Sequence, residues 1–245
     1  MEKKSENLIL FFLVIFAVYC SLSLGMSWDE PYHYYNGKNR LKYLFSFGKY
    51  EYRDLSIFFT APYFPGFYDT LSAFISQIIP RKYEVQTHHL INLFFSLLTI
   101  FGISKITGRL FNKKVGKIVF LISFLNPIFF GHMSINPKDT IIAFSNVWTA
   151  YFIIRYLQTQ HLESKRKYFS TLIGIAIGFG VGRHPIFLAT LLPILILFFL
   201  EIFFIKIVSV KKFLFIYFFK DSIKIFFIAY LIMIIAWPDV HSNIL

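Results

Sequence analysis

The chain has 245 residues, 56% of them hydrophobic and 33 of them Phe, with a mean hydropathy of +0.60; one soluble core of this size cannot bury so much apolar surface, which excludes an ordinary soluble enzyme and makes the bilayer the solvent. The net charge of +12 sits in short clusters of Lys and Arg between apolar runs, a pattern of orientation signals that excludes the continuous basic stripe of a nucleic-acid partner. A single cysteine, Cys20, excludes an internal disulfide.

In chain order, the first apolar run covers residues 8–25, roughly 27 Å at 1.5 Å per residue. A cleaved signal peptide is the alternative, but the run is long for an h-region and Ser21-Leu22-Ser23 is an indifferent cleavage pattern. Further runs at 89–106, 117–130, 140–157, 168–182, 186–205 and 223–237 predict an all-α membrane protein with about seven transmembrane helices. The connections 108–114 (Arg109, Lys113, Lys114), 158–167 (Lys165, Arg166, Lys167) and 206–221 (Lys206, Lys211, Lys212, Lys220) are short and basic, and so expected to be cytoplasmic. Alternation places 26–88, 131–139, 182–185 and the segment from 238 onward on the outer face. The cations of the first of these, Lys38, Arg40, Lys42, Lys49, Arg53, Arg81 and Lys82, argue the other way, but long loops carry less weight than short ones. This long outer loop after the first span is too aromatic for a disordered linker, and two interfacial helices are expected within it: 32–47, and 64–79 bracketed by Pro62, Pro65 and Pro80. No second domain is visible, so 1–245 reads as a single transmembrane domain.

Polar residues concentrate at the outer ends of the spans. Ser27-Trp28-Asp29-Glu30-Pro31-Tyr32-His33 carries two adjacent carboxylates among aromatic rings. Shielding from water would suit such a carboxylate to take a proton from a hydroxyl, and neighbours in a helix point in different directions, which gives Asp29 and Glu30 separate roles. The alternative for both is a solvated carboxylate beside an interfacial Trp. In 131–139, Lys138 suits a phosphate as a point charge, while Asp139 either caps a helix, orients that phosphate, or holds a divalent metal with Asp29; the residues leave these open. Arg183 and His184 stand in a tight reversal with no acidic residue nearby in sequence; the planar guanidinium suits a phosphate, and snorkelling to lipid headgroups is the alternative. His88 and His89 open the second span from the same side and offer phosphate contacts, as does His33. There is no Walker loop, dinucleotide fingerprint, paired-cysteine zinc motif or Gly-x-Ser-x-Gly elbow, and the spans hold few ionisable groups at midplane depth, which a proton-driven transporter would need.

Trp28-Asp29-Glu30-Pro31-Tyr32-His33-Tyr34 after a first span, Ala61-Pro62-Tyr63-Phe64-Pro65 in a long outer loop, and the run from His89 through Leu110-Phe111 and Asn126-Pro127 to Asp139 resemble the GT-C superfamily of membrane glycosyltransferases. The closest branch holds the protein O-mannosyltransferases, aminoarabinose transferases and RgtA/B/C/D-like sugar transferases. The resemblance implies a polyprenyl-phosphate sugar as donor, an acceptor hydroxyl, and inversion by direct displacement at the outer face of a bacterial inner membrane. It implies Asp29 as base with Glu30 its neighbour, Asp139 as the acid of the second outer loop, and Lys138, Arg183 and the histidines (His33, His88, His89, His184) as substrate-binding groups. Such proteins continue beyond a segment of this length, so the chain is expected to be the N-terminal part of a longer one and, if so, inactive alone. Asn136-Pro137-Lys138-Asp139 departs from the more usual Arg-containing version. The competing reading is a non-enzymatic membrane protein, a lipid-linked saccharide transporter or scaffold on the same fold.

Overall fold

Apolar runs rich in Leu, Ile and Phe favour helix once backbone groups leave water, because a helix satisfies them within one segment. In the computed structural model, which describes residues 2–50, 64–208 and 213–242, every regular element is helical and no strand occurs among the described residues. The elements are α1 (Glu2–Ser23), α2 (Glu30–Phe45), α3 (Phe67–Ser76), α4 (Glu84–Leu110, led in by a 3-10 turn, Arg81–Tyr83), α5 (Lys113–Leu125), α6 (Pro127–His132), α7 (Pro137–Thr159), α8 (Glu163–Arg183), α9 (Phe187–Leu200, continued as a π turn, Glu201–Ile205), α10 (Phe215–Ile235) and α11 (Pro238–Ser242). At least two segments, Arg81–Leu110 and Phe187–Ile205, are long and apolar enough to cross a membrane. Ala61, Pro62 and Tyr63 of the Pro-aromatic motif, Arg53, and the loop cations Lys211 and Lys212 lie outside the described residues.

Proline and asparagine set several starts. Pro31, Pro127 and Pro137 occupy the first turns of α2, α6 and α7, where a missing N–H costs nothing. Asn112, Asn126 and Asn136 cap α5, α6 and α7 by accepting from the N–H groups of Val115, Phe129 and Asp139 at 3.0, 2.9 and 3.1 Å. The run 117–130 is therefore not one continuous helix: Asn126, extended before Pro127, divides it into α5 and α6.

α8 is central, packing on α7 and α10, and α4 packs on α5 and α7. Gly174 and Gly178 let α10 approach α8 closely, with Ile228 and Ile232 filling the space a side chain would occupy. α2 and α3 pack on each other, and α3 rests on α4 and α8.

Polar contacts tie the two ends of the bundle differently. At one end Ser27 Oγ donates to the Ile135 carbonyl at 3.4 Å, and Arg40 donates to the carbonyls of Ala236 and Phe64 at 2.6 and 2.7 Å. At the other, Arg109 Nε donates to Gln158 at 2.8 Å, and the Gln160 amide exchanges two hydrogen bonds with the Leu214 backbone at 2.9 and 3.1 Å. Residues 26–50, 64–88, 131–139, 182–185 and 238–242 thus gather at the first end.

Candidate functional site

The turn from α1 into α2 separates the two adjacent carboxylates. Asp29 is the N-cap of α2 but makes no side-chain capping bond, and it is exposed. Glu30, in the first turn, points inward and is only 1% exposed. Its Oε2 accepts the Ser27 N–H, its Oε1 accepts the Tyr34 hydroxyl at 2.8 Å one turn further along α2, and His89 Nε2 of α4 lies 2.7 Å from Oε1. The His89 Nδ1 meets the Ser21 carbonyl of α1 at 3.1 Å; a carbonyl only accepts, so this nitrogen carries the hydrogen. One carboxylate thereby joins three helices. Burial pushes the Glu30 carboxyl up, but the hydrogen bonds from His89, Ser27 and Tyr34 outweigh it and hold its pKa below the ordinary value. Burial and the nearby Glu30 charge push the Tyr34 hydroxyl up, which keeps it a donor.

A second buried group lies beside the first. Asp69, in the first turn of α3, accepts from Arg183 Nη1 at 2.7 Å through Oδ1 and sits 3.3 Å from His33 Nδ1 through Oδ2. Arg183 Nη2 lies 3.2 and 3.1 Å from the two ring nitrogens of His33. Asp69 and Arg183 are 5% and 4% exposed, and burial alone would raise the carboxyl; the Arg183 guanidinium and then His33 outweigh it and hold the carboxyl well below the usual range. Glu30, His33, Tyr34, Asp69, His88 and Asn92 line one narrow polar cavity, with His88 stacked on Tyr34 at a ring separation of 3.9 Å.

The segment 131–139 makes a different surface. Asn136 both caps α7 and donates to the Asp139 carboxylate at 3.0 Å, so Asp139 completes the cap while remaining exposed. Thr140 donates to Asn92 at 2.7 Å, and Asn92 and Ser96 donate to the Met133 carbonyl at 3.1 and 2.9 Å, which locks this segment to α4. His132, Asn136 and Asp139 line an open groove together with the apolar Ile100, Ile103 and Phe129 and the polar Ser123, Asn126 and Thr140. Lys138 is exposed. His184 stacks on Phe64 at 4.6 Å and accepts the Ile186 N–H at 3.2 Å; partial burial, then Lys138 and Arg183, depress its pKa.

Of the residues singled out in sequence, Glu30, His33 and His88 therefore meet in one cavity, with His89 behind Glu30 and Arg183 against His33. Asp29 stands outside this buried set, and Asp139 belongs to the separate groove. Arg183 is matched by a carboxylate rather than free for a phosphate, and Asp69 is the residue that sequence reasoning passed over. The available signal was an acid in the first turn of an aromatic helix, together with an arginine that had no local partner. Among the described residues no group of three His, Cys, Asp or Glu side chains converges as a metal site, and Asp139 is turned to its own cap; the residues present do not make a metal cradle.

Residues 73–220 match the family model described as dolichyl-phosphate-mannose-protein mannosyltransferase. No curated protein and no solved structure matches the chain.

Proposed function

We propose that this chain, which belongs to the dolichyl-phosphate-mannose-protein mannosyltransferase family, transfers a sugar from a polyprenyl-phosphate donor to an acceptor hydroxyl at the non-cytoplasmic membrane face, with Asp29 as the base. The observation that carries the assignment is the division of labour between neighbouring carboxylates. Glu30 accepts from Ser27 and Tyr34 and faces His89 Nε2 at 2.7 Å, and protonating it would weaken the joint between α1, α2 and α4. Asp29, whose side chain makes no capping bond, is exposed at the end of that joint, and in this reading its carboxylate meets the incoming hydroxyl.

The acceptor oxygen attacks the anomeric carbon while the bond from that carbon to the phosphate oxygen breaks; the bonding pair leaves with the lipid phosphate and the hydroxyl proton goes to Asp29. A single displacement inverts the anomeric centre. Charge builds on the departing phosphate, and of the residues that the resemblance implies as substrate-binding, Lys138 and His184 lie outside the buried pair and can meet it. Glu30, His89, Asp69, Arg183 and His33 are positioning residues in this reading. The groove at His132, Asn136 and Asp139 is largely apolar, which suits a polyprenyl tail. No step is routed through a metal.

The test uses the source cell and its complete protein. Deleting the gene should remove one sugar from a surface glycan and accumulate a lipid-linked sugar, both read by mass spectrometry, and wild-type protein should reverse both changes. Asp29→Asn should be made and inserted normally yet turn over about 10²- to 10⁴-fold more slowly. Near-normal restoration by Asp29→Asn would overturn the base assignment, and unchanged glycans in the deletion strain would overturn the transferase reading.

A further inference from the structure

We infer that a basic cleft between α2, α3 and the start of α4 binds the phosphate headgroup of an anionic membrane lipid. Its walls are Lys38 and Lys42, one turn apart on α2, Ser76 and Gln77 at the end of α3, and Arg81 and Glu84 at the entry to α4. Three cations face one carboxylate, and that carboxylate is taken, because Glu84 is ion-paired to Lys38. Lys42, held 5.6 Å from the Tyr50 ring, and Arg81 remain exposed with no acidic partner among the described residues. Among the described residues the cleft therefore carries a positive charge from one guanidinium and one ammonium that no carboxylate offsets, which suits a phosphate better than a carboxylate.

Its depth and its rim decide what carries the phosphate. Arg81 is the first residue of a segment long and apolar enough to cross a membrane, so the cleft opens where hydrocarbon gives way to headgroups. Ile79 lines the cleft itself, and the chain around it exposes further large apolar side chains: Phe47 is 94% and Ile78 75% exposed, and Phe45 and Phe74, in ring contact with each other, are also exposed. A freely soluble anion would leave that rim in water. An acyl-chain lipid covers the rim and places its phosphate at the level of Lys42 and Arg81. The same site gives the cations of the long outer connection a task other than orientation.

The inference rests on the chain spanning a membrane and not on sugar transfer. The full chain, purified in detergent, is mixed with dioleoylphosphatidylglycerol or dioleoylphosphatidylcholine, and retained lipid is counted by native mass spectrometry. Wild type should keep the anionic lipid about tenfold better, and Lys42→Gln with Arg81→Gln should bring that ratio close to one. Either single substitution should fall between, and Lys42→Arg should hold the wild-type ratio. Lys113→Gln with Lys114→Gln removes the same charge from an exposed site at the other end of the bundle and should leave the ratio intact, as should Asp29→Asn. A wild-type ratio near one, an unchanged ratio in the Lys42 and Arg81 variants, or an equal loss in the Lys113 and Lys114 control overturns the inference. Displacement of the lipid by millimolar inorganic phosphate overturns the lipid as the source.

Discussion

Two buried carboxylates organise the polar end of this molecule, and each is stable as a charge only because its donors are in place. Glu30→Gln keeps one oxygen, for Tyr34 or for Ser27 but not both, turns its amide NH2 to the other donor and loses the charge facing His89, yet fills the same space and should be the milder change. Glu30→Ala strands the His89 ring nitrogen, the Tyr34 hydroxyl and the Ser27 N–H at once. Removing one side of a buried pair costs about 3–5 kcal/mol, so thermal unfolding in detergent should show a large drop for the Ala variant and a small one for Gln. An equally small drop for both would mean that the joint contributes little. The sign of the pH response follows from the same contacts. Both Glu30 and Asp69 have folded pKa values below their ordinary ones, so their contribution is complete above the ordinary carboxylate range and is lost as pH falls through and below it. Their contribution to the unfolding temperature should accordingly be complete from about pH 7 to about pH 5 and fall below about pH 4, on top of an earlier, shallower loss below about pH 6.5 from the depressed His184 imidazole. Asp69→Asn should lower the unfolding temperature at pH 7 and give a shallower acid limb; an unaltered acid limb would show that other groups set it.

At the scale of elements, α2 and α3 act as one unit because Gly37 allows contact. A Cβ at position 37 would run into the backbone carbonyl of Asp69 and touch Ala73 Cβ at 3.0 Å. Gly37→Ala must push α3 away from α2 and carry Asp69 from Arg183. The expected cost is about 1–3 kcal/mol, with faster amide hydrogen exchange across residues 67–76. Gly25→Ala, where the added methyl meets nothing within 4 Å, is the control and should leave exchange there unchanged. The helices themselves were legible in the sequence because hydropathy and proline act locally: residues 32–47 and 64–79 were expected as helices, and α2 and α3 occupy them. The division at Asn126-Pro127 was also written locally, as a cap and a first-turn proline, but the hydropathy of 117–130 hid it. The Asp69 to Arg183 pair was not legible, since its members are 114 positions apart and nothing near either one names the other. The separate fates of Asp29 and Glu30 were readable as opposite directions on a helix, but which of the two turns inward depends on His89, a residue of another helix.

For the whole molecule the open question is which end faces the cytoplasm, and charge is the physical guide. In the short connections Arg109, Lys113, Lys114, Lys165 and Lys206 are exposed within a few residues of the spans, where the positive-inside bias is felt, while Arg166 is buried against Asp221. Of the cations of the long connection, Arg40 is buried on two carbonyls and Lys38 is paired with Glu84, while Lys42, Lys49, Arg81 and Lys82 are exposed. Arg40 and Lys38 are thus weak votes, and long connections carry less weight than short ones, so a non-cytoplasmic site is the prediction. The prediction can be checked without knowing any substrate. In a Cys20→Ser background, single cysteines replace Lys49, at the Asp29 end, and Lys165, at the other; both native lysines are exposed. In intact cells a membrane-impermeant maleimide should label Lys49→Cys, and should label Lys165→Cys only after permeabilisation. Labelling in the opposite order would place Asp29 in the cytoplasm. The acceptor would then have to be a cytoplasmic molecule, and the external surface glycan would no longer be the place to look for the product.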